Sequence, residues 1–248
     1  MGVVYIGDRS TGKTHLAMEL TNPKHEYVNV INQDYDFLKS NLRFDEISGT
    51  IAPTAMILDR FLDIQVRLPT GNKQVLVDWI DTPGEVWRKS WQQDNPSEWN
   101  RFLDTIRESE GILLILPPHR GLSFHPGVDL DEFMTTKQWS NRFNRWVDFF
   151  CKYCPKARHI LICLNKADFF CDINKEGAIL AYNPNGSQMN WQQRHLYSMQ
   201  RYFRPIQTQL KELNQGISGS SVRCFITSIH HRSLLELPWI YLGSFLAK

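Results

Sequence analysis

Residues 7–14 read Gly7-Asp8-Arg9-Ser10-Thr11-Gly12-Lys13-Thr14, a complete G-x-x-x-x-G-K-[ST] octet, and no other stretch restricts the fold as strongly. Such an octet works only between a strand and a helix. Its glycines let the backbone turn tightly and aim several N–H groups at one point, where phosphate oxygens can be met. The flanks agree: Val3-Val4-Tyr5-Ile6 is an apolar run fit for a buried strand, and His15-Leu16-Ala17-Met18-Glu19-Leu20 continues as a helix. The helix N-terminus then faces the loop with the positive end of its dipole. Gly7, Asp8, Arg9, Ser10, Thr11, Gly12, Lys13, Thr14 and His15 are therefore the candidate phosphate-binding residues. Lys13 is placed to reach β- and γ-phosphates, and the Thr14 hydroxyl to ligate Mg²⁺.

Strands and helices alternate along the rest of the chain. Arg60 to Leu68 alternates apolar and polar positions as a half-exposed strand does, Pro69-Thr70-Gly71-Asn72 is a turn cluster, and Val75 to Ile80 is the next strand. That hairpin makes one sheet edge antiparallel. Gly111 to Leu116 and His159 to Leu164 are apolar runs suited to strands buried on both faces, and Val222 to Thr227 is read as a third such strand. A short further strand can lie at Tyr27 to Ile31, and helices are expected over about 97–109, 131–153, 189–213 and from 233. The expected fold is α/β: a three-layer P-loop NTPase architecture with a mainly parallel six-stranded sheet, one antiparallel edge strand and helices on both faces. In such sheets ligands gather at the carboxyl ends of the strands.

The 248 residues carry 28 Lys plus Arg against 26 Asp plus Glu, a balance that gives no electrostatic case for nucleic acid. No apolar run approaches membrane-spanning length, and neither a signal peptide nor a myristoylation or prenylation signal is visible, so a cytoplasmic location is expected. Five cysteines, an odd number, argue against a disulfide framework. Cys151-Lys152-Tyr153-Cys154 could hold zinc or do redox chemistry with Cys163 and Cys171, but reduced thiols are the simpler reading. The strands and motifs account for residues 1–248 as one nucleotide-binding domain, whose tight ends suggest excision from a longer chain.

Two further motifs sit at strand ends. Asp81-Thr82-Pro83-Gly84 follows the 75–80 strand, where Asp81 can hold Mg²⁺ through a water and the Gly84 N–H can meet a γ-phosphate oxygen. Asn165-Lys166-Ala167-Asp168 follows the 159–164 strand. With these four residues the chain resembles the Ras-like members of the P-loop (TRAFAC-type) GTPase superfamily, in a divergent form of prokaryotic type. The resemblance implies that Asp168 accepts hydrogen bonds from guanine N1 and N2, that Asn165 supports the loop, and that the Lys166 stem stacks on the base. It also implies a looser match of Thr227-Ser228-Ile229 to the guanine-supporting segment, with Ser228 beside the base and the Ile229 N–H as donor.

The same resemblance implies a threonine that closes over Mg²⁺ and the γ-phosphate; Thr54 is the first candidate and Thr50 the second. Residues 40–58 and 83–98 become the switch loops, whose ordering by GTP signals to protein effectors or regulators, a homodimer included. Catalysis of GTP hydrolysis to GDP then falls to Lys13, Thr54, Gly84, Glu85 and Arg9, with Thr14, Thr54 and Asp81 at the metal. Glu85 departs from the family's water-orienting glutamine, and its charge opposes the growing phosphoryl charge, so intrinsic hydrolysis is expected to be slow. It is either the catalytic group or an exposed switch residue, with hydrolysis then using another residue; it also motivates the alternative of a nucleotide-binding interaction module with negligible hydrolysis. Arg9 is either solvent-facing or a cation supplied in cis to the γ-phosphate. Trp87, Trp91 and Trp99 are partner anchors or sheet cover, while His119 and His125 read as loop residues.

Overall fold

The computed structural model describes residues 2–8, 10–41, 58–81, 84–186, 188–217 and 219–246. Strand β1 (Val3–Gly7) runs into helix α1 (Lys13–Leu20), as the octet requires. There follow β2 (Val28–Val30), α2 (Tyr35–Asn41), and the hairpin of β3 (Leu58–Leu68) and β4 (Gly71–Asp81). Beyond it lie α3 (Lys89–Asp94), α4 (Pro96–Glu108), β5 (Gly111–Leu116), α5 (Thr136–Tyr153), β6 (His159–Leu164) and α6 (Ile173–Leu180). The chain closes with α7 (Trp191–Tyr202), α8 (Gln207–Gly216), β7 (Ser221–Ile226) and α9 (Arg232–Phe245).

The strands form one sheet in the order β2-β3-β4-β1-β5-β6-β7. Among the described strands β3 alone runs opposite to the rest: it is antiparallel to both β2 and β4, while β1, β4, β5, β6 and β7 are parallel. The sheet thus has seven strands where six were expected. The extra one is the short edge strand β2, within the 27–31 stretch, and it places the antiparallel strand one position in from the edge. Central β1 is buried on both faces, which is why its residues are uniformly apolar.

Helices cover both faces. On one, α1 and α9 pack together, and Trp239 of α9 lies against Tyr5 of β1 at 5.9 Å between rings. On the other, α4 and α5 meet through rings, with Phe149 6.2 Å from Phe102, and Trp146 of α5 lies 4.4 Å from Trp87, which precedes α3. Trp87, Trp91 and Trp99 all pack against this core, so the sheet-cover reading accounts for their burial.

Helix boundaries differ from expectation for local reasons. α5 starts at Thr136 because Thr135 and Gln138 form a reciprocal capping box, five residues after the expected start. The expected 189–213 helix breaks into α7 and α8 around Phe203-Arg204-Pro205, where proline cannot continue the ladder. α2, α3 and α6 arise where no helix was expected; each is two turns or so, too short to show a period, and α6 is nucleated by the Asp172 cap.

Candidate functional site

The parallel strands β1, β4, β5, β6 and β7 end on the same edge, and the chain segments leaving them enclose the candidate site. Gly7 pairs with Ile115 of β5, and a Cβ on Gly7 would lie 2.4 Å from the Ile115 carbonyl oxygen. Gly12 has φ +84°, and a Cβ there would meet the Asn165 amide nitrogen at 2.6 Å. Both glycines of the octet are therefore fixed by steric need. Lys13 is buried, and its Nζ donates to the Asp8 carbonyl at 2.9 Å, which curls the loop around the ammonium. The Thr11 hydroxyl donates to the same carbonyl at 3.0 Å, and the Tyr5 hydroxyl donates to the Lys13 carbonyl at 2.9 Å. Thr14 and His15 open α1 half-buried, while Ser10 has a left-handed φ of 60°.

Asp8 turns its side chain away from this cradle. It is 3% exposed, and its Oδ2 lies 2.7 Å from Arg142 Nε of α5, a close ion pair that falls short of hydrogen-bond alignment. Burial pushes the Asp8 carboxyl above its usual range, against the opposing pull of Arg142 and Lys13. Asp8 thereby lines a pocket of about 280 Å³ with Arg142, Trp87 and Trp146. Only its backbone carbonyl faces Lys13, which narrows its expected contribution.

The second half of the site is the β6 end. Asn165 is 3% exposed; its Nδ2 donates to the Thr11 carbonyl at 2.8 Å, and its Oδ1 accepts from the Thr227 hydroxyl at 3.2 Å. One side chain thus joins the phosphate loop, the β6 end and the β7 end. Lys166 follows with φ 60°, and Ala167 N–H donates to the Thr227 carbonyl at 3.1 Å. Asp168 is half-buried, and its Oδ1 accepts from the buried Ser228 hydroxyl at 2.5 Å. Ser228 in turn accepts from the His230 N–H at 3.1 Å, which shapes the turn that carries half-buried Ile229. Arg142 was not foreseen as a site residue, nor was the bond of the Thr227 hydroxyl to Asn165; these partners are remote in sequence, and no spacing signals them.

Thr14 at the start of α1 and Asp81 at the end of β4 come to the same sheet end, since β4 pairs with β1. A hydroxyl and a carboxylate are the hard oxygen donors that suit Mg²⁺. Among the described residues no group of three or more His, Cys, Asp or Glu could hold a metal, and the five cysteines are free thiols, three of them buried. The zinc alternative for Cys151 and Cys154 finds no partners among the described residues. Arg9, Thr50, Thr54, Thr82 and Pro83 lie outside the described residues, as do the side chains of Asp81 and Glu85; Gly84 opens a 3-10 turn, Gly84–Trp87. His119 lies in the loop after β5, as expected, but it is buried, with its ring tilted at 46° against Trp139 at 4.6 Å and Nδ1 accepting from the Gly121 N–H at 3.1 Å. No described helix is long and apolar enough to cross a membrane.

No protein-family model matches the chain, and no curated protein does. Among solved structures, it is similar to a GTP-binding protein from the hyperthermophilic archaeon Sulfolobus solfataricus in complex with GDP, at 12% identity and a TM-score of 0.47. That alignment covers 99% of this chain and 53% of the other, so the chain spans about half the length of that protein. The α/β architecture with its phosphate-loop octet at the first strand end stands on the strand order and the loop geometry themselves.

Proposed function

We propose that the protein binds a guanine nucleotide with Mg²⁺ and hydrolyses GTP to GDP and phosphate, slowly, as a switch read by protein partners. The observation that carries this reading is Asn165, whose amide ties the phosphate loop to the loop that ends in Asp168. In this reading Lys13 and the loop N–H groups of Gly7 to Thr14 hold the phosphates. Thr14 and Asp81, with Thr54 as the third candidate, would hold Mg²⁺, which supplies charge neutralisation at the β- and γ-oxygens. Asp168, steadied by Ser228, presents a carboxylate to two donors of one base edge, and adenine would leave it unpaired. Lys166 and the Ile229 N–H complete the base subsite, and the segments 40–58 and 83–98 report the γ-phosphate to effectors.

Competition binding tests the base assignment. Unlabelled GTP and GDP are expected to displace a fluorescent guanine nucleotide, and ATP to fail. Asp168→Asn is expected to weaken GDP binding by about a hundredfold, since one acceptor becomes an NH2 facing a donor and the other bond loses its charged acceptor. Displacement by ATP at equal concentration would sink the guanine reading. Single-turnover phosphate release separates the switch from the alternative that Glu85 motivates, a binding module without turnover. Comparing Arg9→Ala and Glu85→Ala in the same assay assigns the catalytic group: an unchanged rate removes the residue concerned.

A further inference from the structure

Between β5 and α5 the chain makes an excursion over residues 117–135 that the proposed reaction does not use. It is pinned at both ends. Trp139 Nε1 donates to the Pro117 carbonyl at 3.0 Å, Arg120 N–H donates to the Met134 carbonyl at 2.9 Å, and Arg120 Nε donates to the Phe133 carbonyl at 2.7 Å. Its middle is joined to the base loop, where His125 N–H donates to the Phe169 carbonyl at 2.8 Å. These bonds bring Phe133, 5% exposed, edge-on against Phe169, with ring centroids 6.2 Å apart at 77°. The ammonium of Lys166 stands 5.9 Å from the centre of the Phe133 ring and 5.7 Å from that of Phe169. Both distances lie within the reach of a cation–π contact.

We propose that Phe133 is a positioning residue for the guanine subsite: with Phe169 it holds the Lys166 ammonium so that the lysine stem is aimed before the base arrives. The proposal rests on the guanine reading of Asp168. Lys166 has a left-handed backbone, a conformation that persists only when its surroundings hold it. Its four-carbon stem would otherwise be free in many rotamers, and ordering it on binding would cost affinity. Phe169 belongs to the base loop itself, whereas Phe133 comes from the excursion, so the excursion acts as a built-in brace on nucleotide recognition.

The test compares wild type, Phe133→Leu and Phe133→Tyr. For each, affinity for GDP with Mg²⁺, affinity for inorganic pyrophosphate with Mg²⁺ and nucleotide-free thermal unfolding are measured. Phe133→Leu keeps an apolar filler but loses the π face, and is expected to weaken GDP binding about three- to thirtyfold. Its pyrophosphate affinity should equal that of wild type, because the phosphate loop is untouched. Phe133→Tyr keeps the ring face and is expected to restore GDP binding to within a factor of about two. GDP affinity unchanged in Phe133→Leu overturns the proposal. So does a loss shared equally by GDP and pyrophosphate, which marks general damage whether or not the melting temperature falls. Wild-type protein that fails to bind GDP would overturn the guanine reading and this inference with it; binding by wild type with an unaffected Phe133→Leu overturns this inference alone.

Discussion

Asn165 shows how much one buried side chain can carry. Both ends of its amide are used: Nδ2 on the Thr11 carbonyl, Oδ1 under the Thr227 hydroxyl. Asn165→Ala would leave two buried polar groups without partners, at about 1–3 kcal/mol each before relaxation. The expected outcome is a fold weakened by about 2 kcal/mol in denaturant titration and a nucleotide affinity lowered tenfold or more. A variant of unchanged stability and affinity would show that the amide does not join the two loops. At this scale the sequence was legible where the octet fixes a residue type on steric grounds, as with Gly7 and Gly12. It was blind to partners supplied from afar: nothing near Asp8 announces Arg142, 134 positions on, and nothing near Lys166 announces Phe133.

Elements are joined by a different device. Glu236 in α9 is 0% exposed and accepts from Glu26 N–H at 2.9 Å, Tyr27 N–H at 2.7 Å and Arg232 Nε at 2.5 Å. Arg232 donates onward to the carbonyls of Glu19 and Leu20, at the end of α1, and of Val28 in β2. The last carbonyls of α1 thus receive a cation in trans, which favours the negative end of the helix dipole. Removing one member of such a buried pair strands the other. Glu236→Ala is expected to cost roughly 3–5 kcal/mol, while surface Lys156→Ala, which breaks the exposed pair with Glu108, should cost less than about 1 kcal/mol. Equilibrium denaturation of the two variants measures the contrast, and equal losses would refute it. The strands of the sheet core were legible because buried strands are uniformly apolar. α9 was legible as a helix, but its charged pair reads in sequence like an ordinary exposed i,i+4 couple.

At the scale of the molecule, the parallel strands gather sequence-distant motifs at one sheet edge, and two histidines behind that edge set how its stability should respond to acid. His159 at the start of β6 and His195 in α7 are both pushed down to about 4, first by burial and then by nearby arginines, Arg158 and Arg223 for His159 and Arg223 for His195. His159 Nδ1 lies 2.9 Å from the Tyr241 hydroxyl, and His195 Nδ1 accepts from the Cys224 N–H at 3.1 Å, which leaves that nitrogen of His195 unprotonated. Unfolded imidazoles titrate near 6.5, so between about pH 6.5 and pH 4 the unfolded chain binds more protons than the folded one. Their contribution to stability is complete above about pH 6.5 and is lost as the pH falls towards 4. The urea midpoint is therefore expected to drop steadily from pH 6.5 to pH 4.5. Carboxylates that titrate in the same range blur that slope in wild type alone, and a variant isolates the imidazole. His195→Gln keeps an acceptor for the Cys224 N–H and cannot titrate, so it should be weaker than wild type at pH 7 yet lose less on acidification. Parallel pH dependences for the two proteins would show that the His195 imidazole is already protonated, or free to be, in the folded state.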